Sequence, residues 1–326
     1  MDAKKTRWIA CIVLIIAFWA SNVCLAENII KLGVVTKRGG AQNVCAEKFK
    51  SLLEKDTIRW VKIYDNGSLG NESDILKKVQ SGEIQMAVVT SGPFDEFVPE
   101  ARVVDYPYLF KNYQQADLLL DGEPGRQLLK SLEKAGFKGL AFAENGFRNV
   151  TANRPIHSAD DVAGLRIRVM QSIIHQEIWR LLGATPIPLG WPINKELKAK
   201  TVEAQENPVF LIRLYKIYKL QKYLSLTRHV YSSHIAVANL AWFQSLNADD
   251  QTAIQSAMIK AARFERDWNR KNEAKILNIL RKTGMVINEK PDINSFKNRL
   301  ADLEKSHIFK DESTSRMLKI FMDAAR

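Results

Sequence analysis

Few folds accommodate the stretch from Gly164 to Pro208, because its periodicity and its prolines make conflicting demands on the backbone. Leu165-Arg166-Ile167-Arg168-Val169 alternates with period two, which puts Leu165, Ile167 and Val169 on one face of a strand and both arginines on the other. Ser172 to Leu182 then switches to helical spacing, with Ile174, Ile178, Leu181 and Leu182 on one side. Pro186, Pro188 and Pro192 exclude a central strand through the segment that follows. The stretch closes on Asn207-Pro208. Proline biases the residue before it toward extended backbone and is favoured at the first helical position, so Asn207 is a natural N-cap. Its amide and the N–H groups behind it could instead face an anion, and the local sequence leaves both roles open. Arg168 lies nearer the carboxyl end of its strand, where open α/β sheets bind ligands. Arg166, one pleat earlier, is expected to be solvated or paired with a nearby acid. The whole stretch reads as a frame for a carboxylate.

The residues before it alternate strand and helix, the opening of an α/β fold. Asn28 to Val35 reads as a buried strand, Gln42 to Leu53 as a helix, and Ile58 to Tyr64 as a second strand closed by the turn Asp65-Asn66-Gly67. Asn71 to Gln80 is a helix stopped at Gly82, and the apolar strand Ile84 to Val89 ends in Thr90-Ser91-Gly92-Pro93, a candidate cleft wall. Helices are expected near Tyr113 to Leu120 and Gly125 to Ala135. A strand Gly139 to Ala143 then runs into Glu144 to Thr151, a polar, glycine-containing loop in which the chain leaves its first lobe. After the frame, His234 to Leu240 reads as a strand returning to that lobe. Asn247, with Asp250 three residues on, opens one long helix to Thr283, ended by Gly284, and one or two amphipathic helices follow Asp292.

Composition bounds the function. With 326 residues, 46% of them apolar, the chain can bury one large core or two moderate ones, and two lobes are expected. Lys4, Lys5 and Arg7 precede an apolar run from Trp8 to Ala20 and a small-residue exit at Cys24-Leu25-Ala26, the pattern of a signal peptide cleaved after Ala26. Ser21-Asn22-Val23 is a poor lipobox for Cys24. Cleavage leaves Cys45 as the single thiol, so no intramolecular disulfide is expected. Residues 1–26 carry three Lys/Arg and one Asp, which leaves about +10 of the chain's formal +12. The basic residues are dispersed, without a basic run interleaved with aromatics, so nucleic acid is not an expected partner. The sequence holds no G-x-S-x-G, H-E-x-x-H, P-loop, G-x-G-x-x-G or Cys-x-x-Cys pattern, and its five histidines lack metal-ligand spacing. Neither a metal, a cofactor nor an enzymatic activity is expected.

From about Ile30 to Gly284 a set of short motifs recurs in a characteristic order: Gly67-Ser68-Leu69-Gly70-Asn71-Glu72, Val79-Gln80-Ser81-Gly82, Pro107-Tyr108-Leu109-Phe110, ENGFRNVT (Glu144 to Thr151), GLRIRV (Gly164 to Val169), Leu182-Gly183-Ala184-Thr185-Pro186 and Gln205-Glu206-Asn207-Pro208. In this the chain resembles the DctP-type periplasmic solute-binding proteins of tripartite (TRAP) transporters. The resemblance implies an α/β periplasmic-binding-protein architecture of two lobes, with crossing connections and a long helix spanning both. The lobes would be residues 27–146 plus 234–272 and residues 147–233 plus 273–326, closing on an organic anion. It further implies that Arg168 makes the main salt bridge to the ligand carboxylate, that Arg148 supports it, that Asn207 contributes an amide and that Trp191 packs on the ligand. Glu72, Thr90 and Ser91 would come from the other lobe. The partners implied are a small organic acid and the membrane permease subunits of a TRAP transporter, met in the periplasm by a monomeric receptor.

The chain departs from the family pattern between Trp191 and Glu203, where Pro192-Ile193-Asn194-Lys195-Glu196-Leu197 replaces the usual S-E-V-Y segment. This changes the expected pocket beside Trp191. The sialic-acid branch places a glutamate and an arginine where Thr90 and Pro93 stand, which disfavours sialic acid. Glu72 and the polar cleft candidates favour a hydroxylated sugar acid, with C4-dicarboxylates and keto acids as alternatives. A ligand sensor for a signalling partner and a secreted enzyme acting on a small acid are the competing classes. Turnover of a bound ligand would favour the enzyme.

Overall fold

The α/β alternation folds as its pattern requires, into two sheets joined by strands that run from one into the other. The computed structural model describes residues 28–326, so the expected signal peptide and its cleavage point lie outside the described residues. In the first sheet β1 (Ile29–Gly33) pairs in parallel with β2 (Trp60–Tyr64) and with β3 (Met86–Thr90). Parallel neighbours need crossover connections, supplied by the helices Ala41–Asp56 and Glu72–Gln80. All five residues of β3 are buried, which explains its unbroken apolar sequence. β4 (Phe137–Phe147) and β10 (Tyr231–Asn239) complete the sheet antiparallel, in the order β2-β1-β3-β10-β4.

The second sheet comprises β5 (Asn149–Ala152), β6 (Arg166–Val169), β7 (Thr185–Pro188), β8 (Ala204–Asn207), β9 (Tyr223–Ser225) and β11 (Val286–Asn288), ordered β11-β9-β5-β8-β6-β7. Pro186 and Pro188 are accommodated in β7, at the sheet edge, where a missing N–H breaks no ladder, and Pro192 lies beyond it. Arg166 is half exposed and pairs with Glu203 at 3.3 Å, as expected of the solvated arginine. Arg168, two residues on, is buried.

The expected loop at Glu144 to Thr151 is instead the crossing itself. β4 and β5 are continuous but for Arg148, and within this stretch Gly146, at φ +108°, supplies the one positive-φ position. Its polar side chains imitated a solvated loop, yet they are buried and bonded. Glu144 accepts from Tyr231 Oη at 3.0 Å and Arg270 Nε at 2.7 Å, and Asn145 donates to Ser232 Oγ at 3.3 Å.

The long helix spans Ala248–Lys282, capped where the sequence placed its start: the Asn247 side chain accepts from Asp250 N. At 1.5 Å per residue it is about 50 Å long. Ile254, Met258 and Ala261 pack with Phe49 and Leu140 in the first core, whereas Ile276 and Leu280 pack with Phe210, Ile212 and Leu224 in the second. Asn272 does not break it, because its amide donates to Trp268 O at 2.7 Å. The tail differs from expectation. Its last helix, Glu312–Ala324, packs on Pro99–Asp105 and Glu123–Ser131, and Gln115 Nε2 bonds Ala325 O at 2.7 Å. Residues 312–326 therefore sit beside elements of the first lobe, because the apolar face of Met317, Leu318 and Phe321 is buried there.

Three buried carboxyls make stability pH-dependent. Burial pushes Asp95 up to about 6, Glu144 up to about 7 in spite of Arg270, and Glu265 well above the carboxylate range. A carboxyl that binds its proton more tightly when folded stabilises the fold most below its unfolded pKa of roughly 4, and that contribution is lost as pH rises through the folded pKa. The melting temperature followed by circular dichroism is therefore expected to rise as pH falls from 8 to about 6.5, above the range in which unfolding would protonate His229 and His234, whose imidazoles burial pushes down, and Glu144→Gln to reduce the rise. A melting temperature that falls over that interval contradicts the assignment.

Candidate functional site

At the carboxyl ends of β3 and β6, where the crossing strands pass, the protein leaves a small cavity. Arg168, Arg148, Asn207, Trp191, Glu72 and Thr90 all line it. Period-two alternation on β6 aims Arg168 inward. Its Nε donates to Leu189 O at 2.9 Å, Nη2 shares the same carbonyl, and no carboxylate among the described residues pairs with it. The Trp191 ring lies 5.4 Å from the guanidinium carbon, a cation–π contact, and meets Tyr215 edge-on at 4.9 Å. Burial, and then the positive charge of Arg148, push Arg168 down to about 10, so it stays charged at neutral pH.

Arg148 is placed differently. It is fully buried, and Nε and Nη2 grip both carboxylate oxygens of Glu206, Nη2 at 2.7 Å from Oε1. Burial alone would raise the Glu206 carboxyl, but Arg148 and a bond to His229 outweigh it and hold it well below the usual range. His229 Nε2 lies 3.1 Å from Glu206 Oε2, and Nδ1 lies 2.8 Å from Thr227 Oγ1. Since the Glu206 carboxylate can only accept, the neutral imidazole carries its proton on Nε2 and accepts from Thr227. Arg148 is thus neutralised behind the cavity, while its Nη1 remains buried without a partner.

The opposite wall belongs to the first sheet. Glu72 opens the helix Glu72–Gln80, and its Oε1 accepts from Gln42 Nε2 at 2.6 Å and from Thr90 N and Oγ1, each at 2.7 Å. Gln42 is itself held by Val35 N and Thr36 N, at 3.0 and 3.2 Å from its Oε1. Glu72 Oε2 receives no hydrogen bond from the described residues.

Ser91 departs from expectation, and Asn207 takes a strand position. Ser91 does not line the cavity: it is buried behind it, its hydroxyl donating to Asp105 Oδ1 at 2.7 Å. Asn207 is not a helix cap. It ends β8 as a strand residue, Pro208 takes the cap position of Val209–Leu214, and Asn207 Nδ2 donates to Gln205 Oε1 at 2.6 Å. Pairing of β8 with β5 and β6 keeps Asn207 extended and turns its amide to the cavity. Sequence reasoning also missed Gln42, Asn145, Met170, Leu211 and His234. For His234 a partial signal existed, since it was expected to open a strand returning to the first lobe.

A two-lobed α/β frame with a buried, unpaired arginine in the cleft defines a receptor for a small anionic solute. Residues 32–311 match the family described as bacterial extracellular solute-binding protein, family 7. The 2,3-diketo-L-gulonate-binding periplasmic protein of Escherichia coli is 32% identical over 295 residues, 89% of this chain and 90% of that protein. The C4-dicarboxylate-binding periplasmic protein of Rhodobacter capsulatus is 30% identical over 80% of each chain. A TRAP periplasmic solute-binding protein from Polaromonas, solved bound to D-erythronate, superposes with a TM-score of 0.86 at 33% identity, covering 90% of this chain and 98% of that one. A sugar acid binding protein from Advenella mimigardefordensis, in complex with galactonate, gives 0.85 at 30% identity over 91% and 98%. This chain belongs to that family, the DctP-type periplasmic solute-binding proteins of TRAP transporters. Its members are receptors for small organic acids that work with membrane permeases, and not enzymes.

Removing Glu206 would leave the Arg148 charge buried and uncompensated. Glu206→Ala is expected to cost about 3–5 kcal/mol of unfolding free energy, measured by chemical denaturation. A loss below about 1 kcal/mol, the scale of a surface pair, would show that the pair does not hold the crossing together.

Proposed function

We propose that this chain is the extracytoplasmic receptor for a hydroxylated sugar acid, held by its carboxylate on Arg168 as the lobes close and delivered to a TRAP-type permease. The observation that carries this is the charge arrangement of the cavity. Arg168 is the one lining cation without a carboxylate partner, Arg148 is neutralised by Glu206, and Glu72 contributes a negative charge on the far wall. A guanidinium offers a carboxylate two parallel charge-assisted bonds, and exclusion of water on closure strengthens them. Arg148 Nη1 and the Asn207 amide can add donors, and Trp191 covers the guanidinium. Glu72 Oε2 accepts hydrogen bonds only, so the remainder of the ligand should carry hydroxyls.

The same arrangement disfavours C4-dicarboxylates. A second carboxylate would enter a cavity whose other charge is Glu72, with no further free cation to meet it, and like charges in a buried site cost several kcal/mol. The relatives that bind erythronate and galactonate support a sugar acid, and the diketogulonate-binding relative keeps a keto sugar acid as the nearest alternative. The receptor would act in the periplasm as a monomer after cleavage near Ala26. Glu72 and Thr90 would meet the ligand from the first lobe, and Ser91 would only support them.

Calorimetry with D-erythronate, D-galactonate and succinate tests the reading. The sugar acids should bind more tightly than succinate, and Arg168→Ala should weaken their binding by roughly 100- to 1000-fold, about 3–5 kcal/mol. Unchanged affinity in that variant would remove Arg168 as the anchor, and preference for succinate would overturn the charge argument.

A further inference from the structure

The cavity also holds a histidine that neither anchors the carboxylate nor supports Glu72. His234 lies near the start of β10, and its Cα partner across the antiparallel ladder is Thr90 on β3. Directly opposed residues project to the same face, so the imidazole stands beside the Thr90 side chain, whose hydroxyl donates to Glu72. His234 lines the cavity with 1% of its surface exposed, and its Nδ1 is buried with no hydrogen-bond partner. Its neighbour in sequence shows what a settled histidine looks like in this protein: both ring nitrogens of His229 are bonded. Buried polar groups are nearly always satisfied, so an imidazole left unpaired in a ligand cavity marks a position that the ligand completes. Burial, and then Arg148, push the ring down to about 3, which leaves it neutral, with one donor and one acceptor nitrogen.

We infer that His234 is a specificity-determining residue of the solute site: together with Thr90 and Glu72 it forms a row of hydrogen-bonding groups on the first-lobe wall that recognises the hydroxyls of a polyhydroxy acid. The inference rests on the acid-binding reading of Arg168 and adds to it. The arginine selects the carboxylate end common to many acids. The His234 row selects among them, because an analogue lacking the hydroxyl leaves buried polar groups unpaired and is rejected more strongly than lost contact area alone would explain. A neutral imidazole suits this task, since it can give a hydrogen bond to one hydroxyl or accept one from another.

The test compares D-erythronate with 2-hydroxybutanoate, which keeps the carboxylate and the adjacent hydroxyl but lacks the two distal ones, by calorimetry on the full mature chain. The wild type is expected to prefer D-erythronate. His234→Phe keeps a ring and removes both nitrogens. It should weaken D-erythronate about 10- to 100-fold and 2-hydroxybutanoate less than about threefold, so that the preference collapses. His234→Asn, which restores a donor and an acceptor, should recover part of it, and serves in place of the Phe variant if that one does not fold. Equal loss for both acids would assign His234 a structural role, and no loss would remove it from the site; either overturns the inference. Arg168→Ala run alongside should weaken binding of both acids by roughly 100- to 1000-fold. If it does and the His234 variants leave the preference intact, only this inference fails; if it does not, the anchor reading fails with it. A wild type that binds neither acid, or binds both equally, overturns the hydroxyl-recognising row.

Discussion

The buried Arg148–Glu206 pair is the joint on which the rest of the molecule depends. Arg148 is the single residue between β4 of one sheet and β5 of the other, and Glu206 lies on β8 opposite Val150 of β5. Both are fully buried, and taking two charges out of water costs more than their attraction returns unless the remaining lone pairs and protons are also satisfied. Here Glu206 also bonds His229, and Arg148 Nη2 reaches the Glu206 carbonyl at 2.7 Å. The pair fixes the crossing strand against its neighbour and holds one edge of a guanidinium at the cleft. By neutralising Arg148 it also makes Arg168 the cation available to a ligand.

A second constraint follows from the long helix. It contributes to both cores, so motion of one half relative to the other must be absorbed at the crossing strands or within this helix. Asn269 donates to the Glu144 and Asn145 carbonyls at 3.4 and 3.2 Å, and Arg270 bonds both Glu144 and Asp117. The helix is thus fastened to β4 next to Gly146. A ligand bridging Glu72 and Arg168 shifts the equilibrium between open and closed forms only by its preference for the closed one, and these fastenings set what that closure must bend.

Much of this was legible along the chain, for local reasons. Alternation plus position along the strand separated Arg168 from Arg166, and the structure buries the first and solvates the second. The prolines excluded a central strand, and Asn247 with Asp250 announced the start of the long helix. The failures share one cause. Glu144 to Thr151 read as a loop, and the choice between cap and anion contact stayed open for Asn207, because polar residues normally seek water or backbone ends. In the crossing they are satisfied by partners dozens of residues away, such as Arg270 for Glu144 and Gln205 for Thr151, and Asn207 bonds Gln205 on its own strand. Ser91 was misassigned similarly: being next to Thr90 in sequence does not put it on the cavity side of the turn.

The sequence by itself determined the α/β class, the family, the helix that joins the halves, and which of two arginines turns into the cleft. Each of these rests on periodicity, capping or short motifs, which act between near neighbours. Only the tertiary structure decided which charges are already neutralised, that Asn207 faces the cavity from a strand, and that His234 stands unpaired beside Thr90. Those properties depend on which distant side chains share a buried space, and in a low-dielectric interior the presence or absence of one partner decides whether a polar group is structural or awaits a ligand.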